Sequence, residues 1–329
     1  MNRTLHRRPP SWTIWLAFTL IYLSWGTTYL AIREGVHTER LPPALFGGVR
    51  VGLAGLILLI YLAMRGQRLR MPGRDFGWIV VTGLIMFVGG NGLMTAAEKT
   101  VPSNVAAVIA ASTPVWIGLM ESFWPHGDRL TGRGWLGLLL GLGGVAVVFG
   151  PQIETPAAFL EDAGPFMILG SACSWALGSL VLRHRRHTGS HLAAAAYQML
   201  FGGGALAVGG FVLGEVQELT ADKLTLGAVF SFFYLLIVGS LIGFVAYNWL
   251  IAHVPAAQVG THAYVNPLVA ILVGWLLGGE QPTGWIVGGM AIILAGVALV
   301  RTSGPPSIPP EMPAQTLLER EEDPTSQNV

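Results

Sequence analysis

Apolar stretches long enough to cross a bilayer follow one another along nearly the whole chain. A membrane helix needs about 20 mostly apolar residues. The pattern predicts one set of helices at about 12–33, 43–64, 76–97, 103–123 and 133–150, and a second at about 165–183, 192–214, 226–250, 257–278 and 283–301. The second set repeats the first. Ser24-Trp25 and Arg33 recur as Ser174-Trp175 and Arg183, Val101-Pro102 and Pro114 as Val254-Pro255 and Pro267, and Gly144-Val145-Ala146 as Gly296-Val297-Ala298. The offsets of 150, 153 and 152 residues drift as short loop insertions would make them. An odd number of spans per half turns the second half upside down relative to the first. The expected fold is therefore an all-α integral membrane protein, ten transmembrane helices in a 5+5 inverted repeat around a central cavity. Inverted repeats of this kind characterise secondary transporters, with the solute site near the midplane between the halves.

Composition agrees. The chain is 52% hydrophobic and 11% charged, with a mean hydropathy of +0.58, whereas a soluble domain carries roughly 25% charged residues. The 44 glycines and 11 tryptophans suit packed membrane helices and membrane interfaces. Cys173 is the single cysteine, so no intrachain disulfide can form. The first apolar stretch follows Arg3, Arg7 and Arg8 but is too long for a signal peptide and lacks a small-residue cleavage site, so it is expected to be retained.

The organisation expected is a cytoplasmic N-terminal segment at 1–11, a five-helix repeat at 12–150, an external linker at 151–164, a second five-helix repeat at 165–301 and a disordered, Pro- and Glu-rich cytoplasmic tail at 302–329. Loop charge sets the orientation. Fourteen of the 19 basic residues fall on one side, among them Arg65, Arg68, Arg70, Arg74, Arg185 and Arg186. Arg33, Arg40, Lys99 and Lys223 fall on the other, among eight acidic residues, and Arg50 lies inside a span. Both termini are thus expected in the cytoplasm of a bacterial inner membrane.

Ionisable and polar side chains at membrane depth are the candidates for function. Arg50 lies about 10 Å into its span at 1.5 Å per residue. It suits a bidentate grip on a carboxylate; alternatively it snorkels outward or pairs with Glu98 or Glu34. Gln198 is its counterpart in the second half. Glu121 falls near an interface and reads as a solvated carboxylate, with a coupling role the alternative. His262 either relays protons or is held by a backbone carbonyl. Trp25 and Trp175, with Tyr29 and Trp116 at similar depth, either wall a cavity or pack a helix crossing. Asn91, Asn104, Gln258 and Asn266 add hydrogen-bonding capacity, some of it helix-to-helix glue. Pro114 and Pro267, each near the centre of a span, are expected to kink their helices and free a carbonyl, with Thr113 and Asn266 beside them. Paired interruptions in the two halves point to a central site. The pairs Gly48/Gly52, Gly137/Gly141, Gly239/Gly243, Gly274/Gly278 and Gly284/Gly288 have the spacing that lets helices approach closely.

No His/Cys/Asp cluster has metal-ligand spacing, no nucleophile elbow occurs, and Gly141-Leu142-Gly143 opens no strand-to-helix turn. An enzyme, a metal site and a cofactor are therefore not expected. The partners expected are a small-molecule solute and lipid, with no nucleic acid; an oligomer is neither indicated nor excluded.

The chain resembles the drug/metabolite transporter superfamily and, within it, the EamA family of bacterial inner-membrane permeases. The resemblance rests on Ser24-Trp25-Gly26, on Arg50 with Ala54-Gly55, and on Ala110-Ala111-Ser112-Thr113-Pro114 in the first copy. In the second copy it rests on Asn266-Pro267 and Leu277-Gly278-Gly279-Glu280. Glu280 matches an acidic position after the fourth helix of each unit, and Asp128 stands at its counterpart as a conservative departure. The resemblance implies transport of amino acids or other small metabolites by alternating access, with efflux the direction family analogy favours. Two alternatives stand: a flippase for a lipid-linked group, and a membrane sensor or scaffold that moves nothing.

The orientation predicts that reporters active only outside the membrane give no signal at either terminus. It also predicts that cysteines at positions 154 and 185 react from opposite sides; labelling both from one side would refute the orientation.

Overall fold

In a computed structural model, the residues described are 9–101, 103–125, 127, 130–149, 163–185, 189–278 and 284–303, and they form helices and turns with no strand among them. Residues 151–162 of the expected linker and nearly all of both terminal segments lie outside the described residues, as do Asp128 and Glu280, while 163 and 164, expected in the linker, open a helix. The first half contains α1 (Ser11–Arg33), α2 (Pro43–Met64), α3 (Gly73–Leu84), α4 (Leu93–Ala97), α5 (Ser103–Ala110), α6 (Thr113–Phe123) and α7 (Gly132–Phe149). The second contains α8 (Ala163–His184), α9 (His191–Val212), the short α10 (Glu215–Glu218), α11 (Leu226–Tyr234), α12 (Val245–His253), α13 (Ala256–Gly260), α14 (His262–Gly278) and α15 (Gly284–Thr302). Among the described residues, six helical stretches are long and apolar enough to cross a membrane, and Gly132–Val147 and Gly284–Val300 are shorter apolar helices. Large apolar side chains such as Leu30, Leu139, Val208 and Phe230 are exposed on the outer faces, as expected when lipid is the solvent.

Two stretches that read as plain helices contain wider turns. A π-helical segment, Ile85–Gly92, joins α3 to α4, and another, Leu235–Phe244, joins α11 to α12. They begin 150 residues apart. Such segments disturb the regular backbone ladder and recur at functional sites. Here they offer carbonyls to other helices: Ser171 of α8 donates to the Gly90 carbonyl at 2.7 Å, and Trp25 Nε1 of α1 donates to that of Gly239 at 2.9 Å.

The prolines act differently from the expected pair of kinks. Pro114 stands at the start of α6, so the chain breaks at Ala111-Ser112 and the proline opens a new helix, where its missing N–H costs nothing. The Thr113 hydroxyl takes the Ala110 carbonyl at 2.7 Å. Pro267 lies inside α14, and the break in that half falls earlier, at Thr261. Both halves interrupt the helix at this stage, but only one does so at the proline.

Two helix seams hold the halves together, and glycine makes both possible. Along α2 and α9, Gly48 meets Gly203 and Ala207, Gly52 meets Gly203 and Gly204, and Gly55 meets Ala196 and Leu200, so the two helices run antiparallel. A β-carbon on Gly203 would overlap the backbone nitrogen of Gly52. Along α7 and α15, Gly137 meets Gly296 and Leu299, and Gly144 meets Gly289 and Ile293, again antiparallel. Gly239 and Gly243 lie against α1 at Thr28 and Trp25. Gly284 and Gly288 have nothing within 4 Å, so the close approach expected of that pair is absent.

Gly203→Ala should therefore lower stability by about 1–3 kcal/mol, the cost of overpacking a close contact. Gly204→Ala, with nothing within 4 Å, should be neutral or gain up to ~1 kcal/mol of helix propensity. Thermal unfolding of the two variants in one detergent checks this; equal melting temperatures would count against the seam.

Candidate functional site

The π segments, the broken helix of the first half and α1, α2, α8 and α14 converge on one cavity of about 130 Å³. At about 30 Å³ per water in the liquid, it holds on the order of four waters, room for a small metabolite. α1 contributes Trp25, Thr28, Tyr29 and Ile32, which recur every three or four residues and so share one face. Arg50 and Val51 come from α2, and Phe87, Gly90 and Asn91 from the first π segment, with Met94 beyond it. Leu235, Gly239, Ser240 and Phe244 come from the second π segment, and Ser171, Ala172 and Trp175 from α8. Ala110 and Thr113 flank the break before α6, and His262, Ala263 and Asn266 open α14.

Among the described residues, Arg50 is the one arginine or lysine in this wall. It is 3% exposed, which excludes snorkelling. Its Nη1 donates to Ser240 Oγ at 3.5 Å and its Nη2 to Asn91 Oδ1 at 3.3 Å, both long contacts, and its Nε has no hydrogen-bond partner. The guanidinium carbon lies 5.9 Å from the Phe46 ring centroid. No described carboxylate forms an ion pair with it within 4 Å. A buried charge held only by neutral groups is costly, and a ligand anion would relieve that cost. Asn266, 2% exposed, leaves its Oδ1 without a partner in the same wall. The cavity thus offers both a donor and an acceptor whose hydrogen bonds are unmade.

Aromatic rings close one end of it. Trp25 packs against Trp175 at 5.4 Å, Tyr247 at 5.1 Å and His262 at 4.9 Å between ring centroids. Tyr247 also meets Trp175 and His262, each at 5.5 Å. His262 Nδ1 lies 2.9 Å from the Val259 carbonyl, so its ring is held by backbone. Beyond the cluster, toward the N-terminal end of α1, Tyr22 meets Thr261 at 3.3 Å.

Of the residues singled out from sequence, Trp25, Tyr29, Arg50, Asn91, Thr113, Trp175, His262 and Asn266 share this wall. Pro114, Trp116, Gln198 and Pro267 do not line it. Trp116 packs against the core instead. Gln198 is fully buried between α3 and α12, where its amide donates to Thr82 Oγ1 at 2.7 Å and its carbonyl accepts from Asn248. It is helix-to-helix glue, not the far end of a path from Arg50. Glu121 is likewise not the solvated carboxylate expected, being 2% exposed and 2.7 Å from His184 Nε2, whose ring stacks on Trp124. The side chain of Asn104 lies outside the described residues.

Sequence reasoning passed over Ser171, Ser240 and Gly90, and read Gly239 only as a packing glycine. Nothing in composition distinguishes these small residues; their role follows from the π segments. The one available signal was the pair Gly89-Gly90-Asn91-Gly92 and Gly239-Ser240, where small polar residues interrupt otherwise apolar runs at an offset of 150.

The EamA-like transporter family matches residues 11–150 and 162–302. The uncharacterized inner membrane transporter YedA of Escherichia coli (strain K12) is 35% identical over 288 residues, 86% of this chain and 89% of its own. A probable amino-acid metabolite efflux pump of Salmonella typhimurium (strain LT2) is 21% identical over 289 residues, 84% of this chain and 91% of its own. A protein of known crystal structure superposes with a TM-score of 0.70 at 22% identity, covering 88% of this chain and 96% of that one, a likeness of fold. With two family repeats spanning almost its whole length, the chain belongs to the EamA-like transporter family.

Proposed function

We propose that the protein carries small carboxylate-bearing metabolites, amino acids and their relatives foremost, across the inner membrane by alternating access through this cavity. The observation that carries the reading is Arg50: a buried guanidinium in a cavity wall, with one nitrogen unbonded and no described carboxylate paired to it. A solute carboxylate would supply the missing anion with charge-assisted hydrogen bonds, and the free Asn266 Oδ1 would accept from the solute's ammonium group. The aromatic cluster would then hold an apolar side chain. The printed name of the Salmonella relative supports the amino-acid class and, with it, export as the working direction.

The architecture proposed is ten membrane helices in two inverted copies, both termini cytoplasmic, with the linker near 151–164 external. The antiparallel seams support it, because α2 with α9 and α7 with α15 are repeat equivalents. So does a shared detail: Arg33 donates to the Val101 carbonyl at 3.5 Å, and its counterpart Arg183 donates to the equivalent Val254 carbonyl. In this orientation the cavity lies in the outer half of the bilayer, and the Trp25–Trp175–Tyr247–His262 cluster seals it from the cytoplasm. Rocking would open that seal and close the outer half. The unmet donor and acceptor sit between helices rather than on the lipid face, which favours a dissolved solute over a lipid-linked one.

Purified protein in liposomes should exchange a radiolabelled amino-acid mixture in a counterflow assay. Hydrogen bonds to charged groups contribute about 1.5–3 kcal/mol each, so Arg50→Gln should raise KM at least ~10–100-fold. Arg50→Lys, which keeps the charge and loses the fork, should fall between. Exchange unchanged in Arg50→Gln would remove Arg50 from the site, and lipid scrambling without exchange would favour the flippase.

A further inference from the structure

One turn beyond Met94 on the same helix stands Glu98, which the function so far does not use. It is completely buried, and neither carboxylate oxygen has a hydrogen-bond partner. That is an expensive arrangement for an anion and a tolerable one for a neutral acid. Its surroundings explain why it is not simply misplaced. Arg33 of α1 and then Arg50 of α2 are the cations whose fields act on it, and Glu98 in turn acts on Tyr29 of α1. Neither arginine forms a described ion pair with it within 4 Å. Arg33 reaches the nearby Val101 carbonyl at 3.5 Å, and His37 sits 3.0 Å from the carbonyl of the adjacent, exposed Lys99. From α5 and α8, Ile109 and Ile168 close the neighbouring Ala97 with carbon.

We infer that Glu98 is a proton-binding carboxylate linked through Arg50 to solute binding, so that a proton is taken up as a solute carboxylate enters. The inference rests on the reading of Arg50 as the solute anchor. In the empty carrier the charge of Arg50 is free to support an ionised Glu98 across the low-dielectric gap. A carboxylate bound to Arg50 spends that charge, Glu98 is left a buried anion with diminished compensation, and it accepts a proton from water. The proton moves to a carboxylate oxygen and no other bond changes. By linkage the converse holds: a protonated Glu98 leaves Arg50 uncompensated and favours solute. Affinity for solute therefore rises as pH falls through the range where Glu98 of the empty carrier ionises.

Two experiments on the full-length protein test this. The first needs no solute. Dicyclohexylcarbodiimide modifies protonated carboxyls in apolar surroundings, and mass spectrometry maps the adduct. Labelling at Glu98 should fall with rising pH and should increase several-fold in Arg50→Gln at the pH where wild-type labelling is half-maximal. Labelling at Glu121, beside His184, should not respond to that substitution. Labelling of Glu98 that is absent at every pH, or equal in the two proteins, overturns the inference.

The second is amino-acid counterflow across pH. The wild-type apparent affinity should weaken by up to about tenfold per pH unit at its steepest, the limit for one linked proton. Glu98→Gln, a mimic of the protonated acid, should hold the low-pH affinity throughout. A wild-type slope that persists in Glu98→Gln overturns the proton linkage while leaving the transport reading intact. Failure of the mixture to move in wild type overturns the transport reading, and the labelling experiment still decides the linkage.

Discussion

In hydrocarbon, a backbone or side-chain polar group has only other protein groups to bond with. The consequence runs through this molecule. Its outer faces carry Leu, Val and Phe on regular helix, while wide turns, helix breaks and polar side chains collect in the interior. Each departure from regular helix is answered there: Trp25 and Ser171 take carbonyls of the π segments, and Thr113 takes the carbonyl at the break before α6. Buried polar atoms without a partner occur in the cavity wall at Arg50 Nε and Asn266 Oδ1 and one turn beyond Met94 at Glu98, and others, such as Asn248 Oδ1, lie away from it.

Much of this architecture was legible in the chain. Long apolar runs fix membrane helices because nothing else satisfies their length and composition, and the observed elements fall on the expected stretches. The repeat was legible because Ser-Trp, Arg, Val-Pro and Gly-Val-Ala recur in order, and the Arg33 and Arg183 contacts show one use of that recurrence. What the sequence hid was backbone geometry. A π turn has no residue requirement strict enough to announce itself, so Ser240 and Gly90 read as ordinary helix. Pro114 and Pro267 looked equivalent, yet one begins a helix and the other lies within one.

The site was partly legible for a related reason. Arg50 is conspicuous because a charge at that depth is rare, and the tryptophans because they sit far from the interfaces they favour. Gln198 was conspicuous on the same grounds and serves differently, since its carbonyl and amide are both consumed by Asn248 and Thr82. Polarity at depth alone does not separate a binding group from a fastener. The distinction is whether hydrogen-bonding valence is left over, and that depends on neighbours 50 and 116 positions away along the chain. Glu98 enters the sequence reading only as a pairing partner for Arg50, because hydropathy registers distance along a helix, not what lies around it.

The glycine seams have a mechanical meaning. Where α2 lies on α9, backbone meets backbone, and where α7 lies on α15, glycine backbone meets backbone beside the short side chains of Ile293, Leu299 and Val300, which leaves little to slide. Such contacts behave as welded joints, leaving the interrupted helices and the elements around the aromatic cluster as the compliant parts. Selection for faster turnover would then be expected to act on the joints between α5 and α6 and between α13 and α14, while the seams stay fixed as the frame against which they bend.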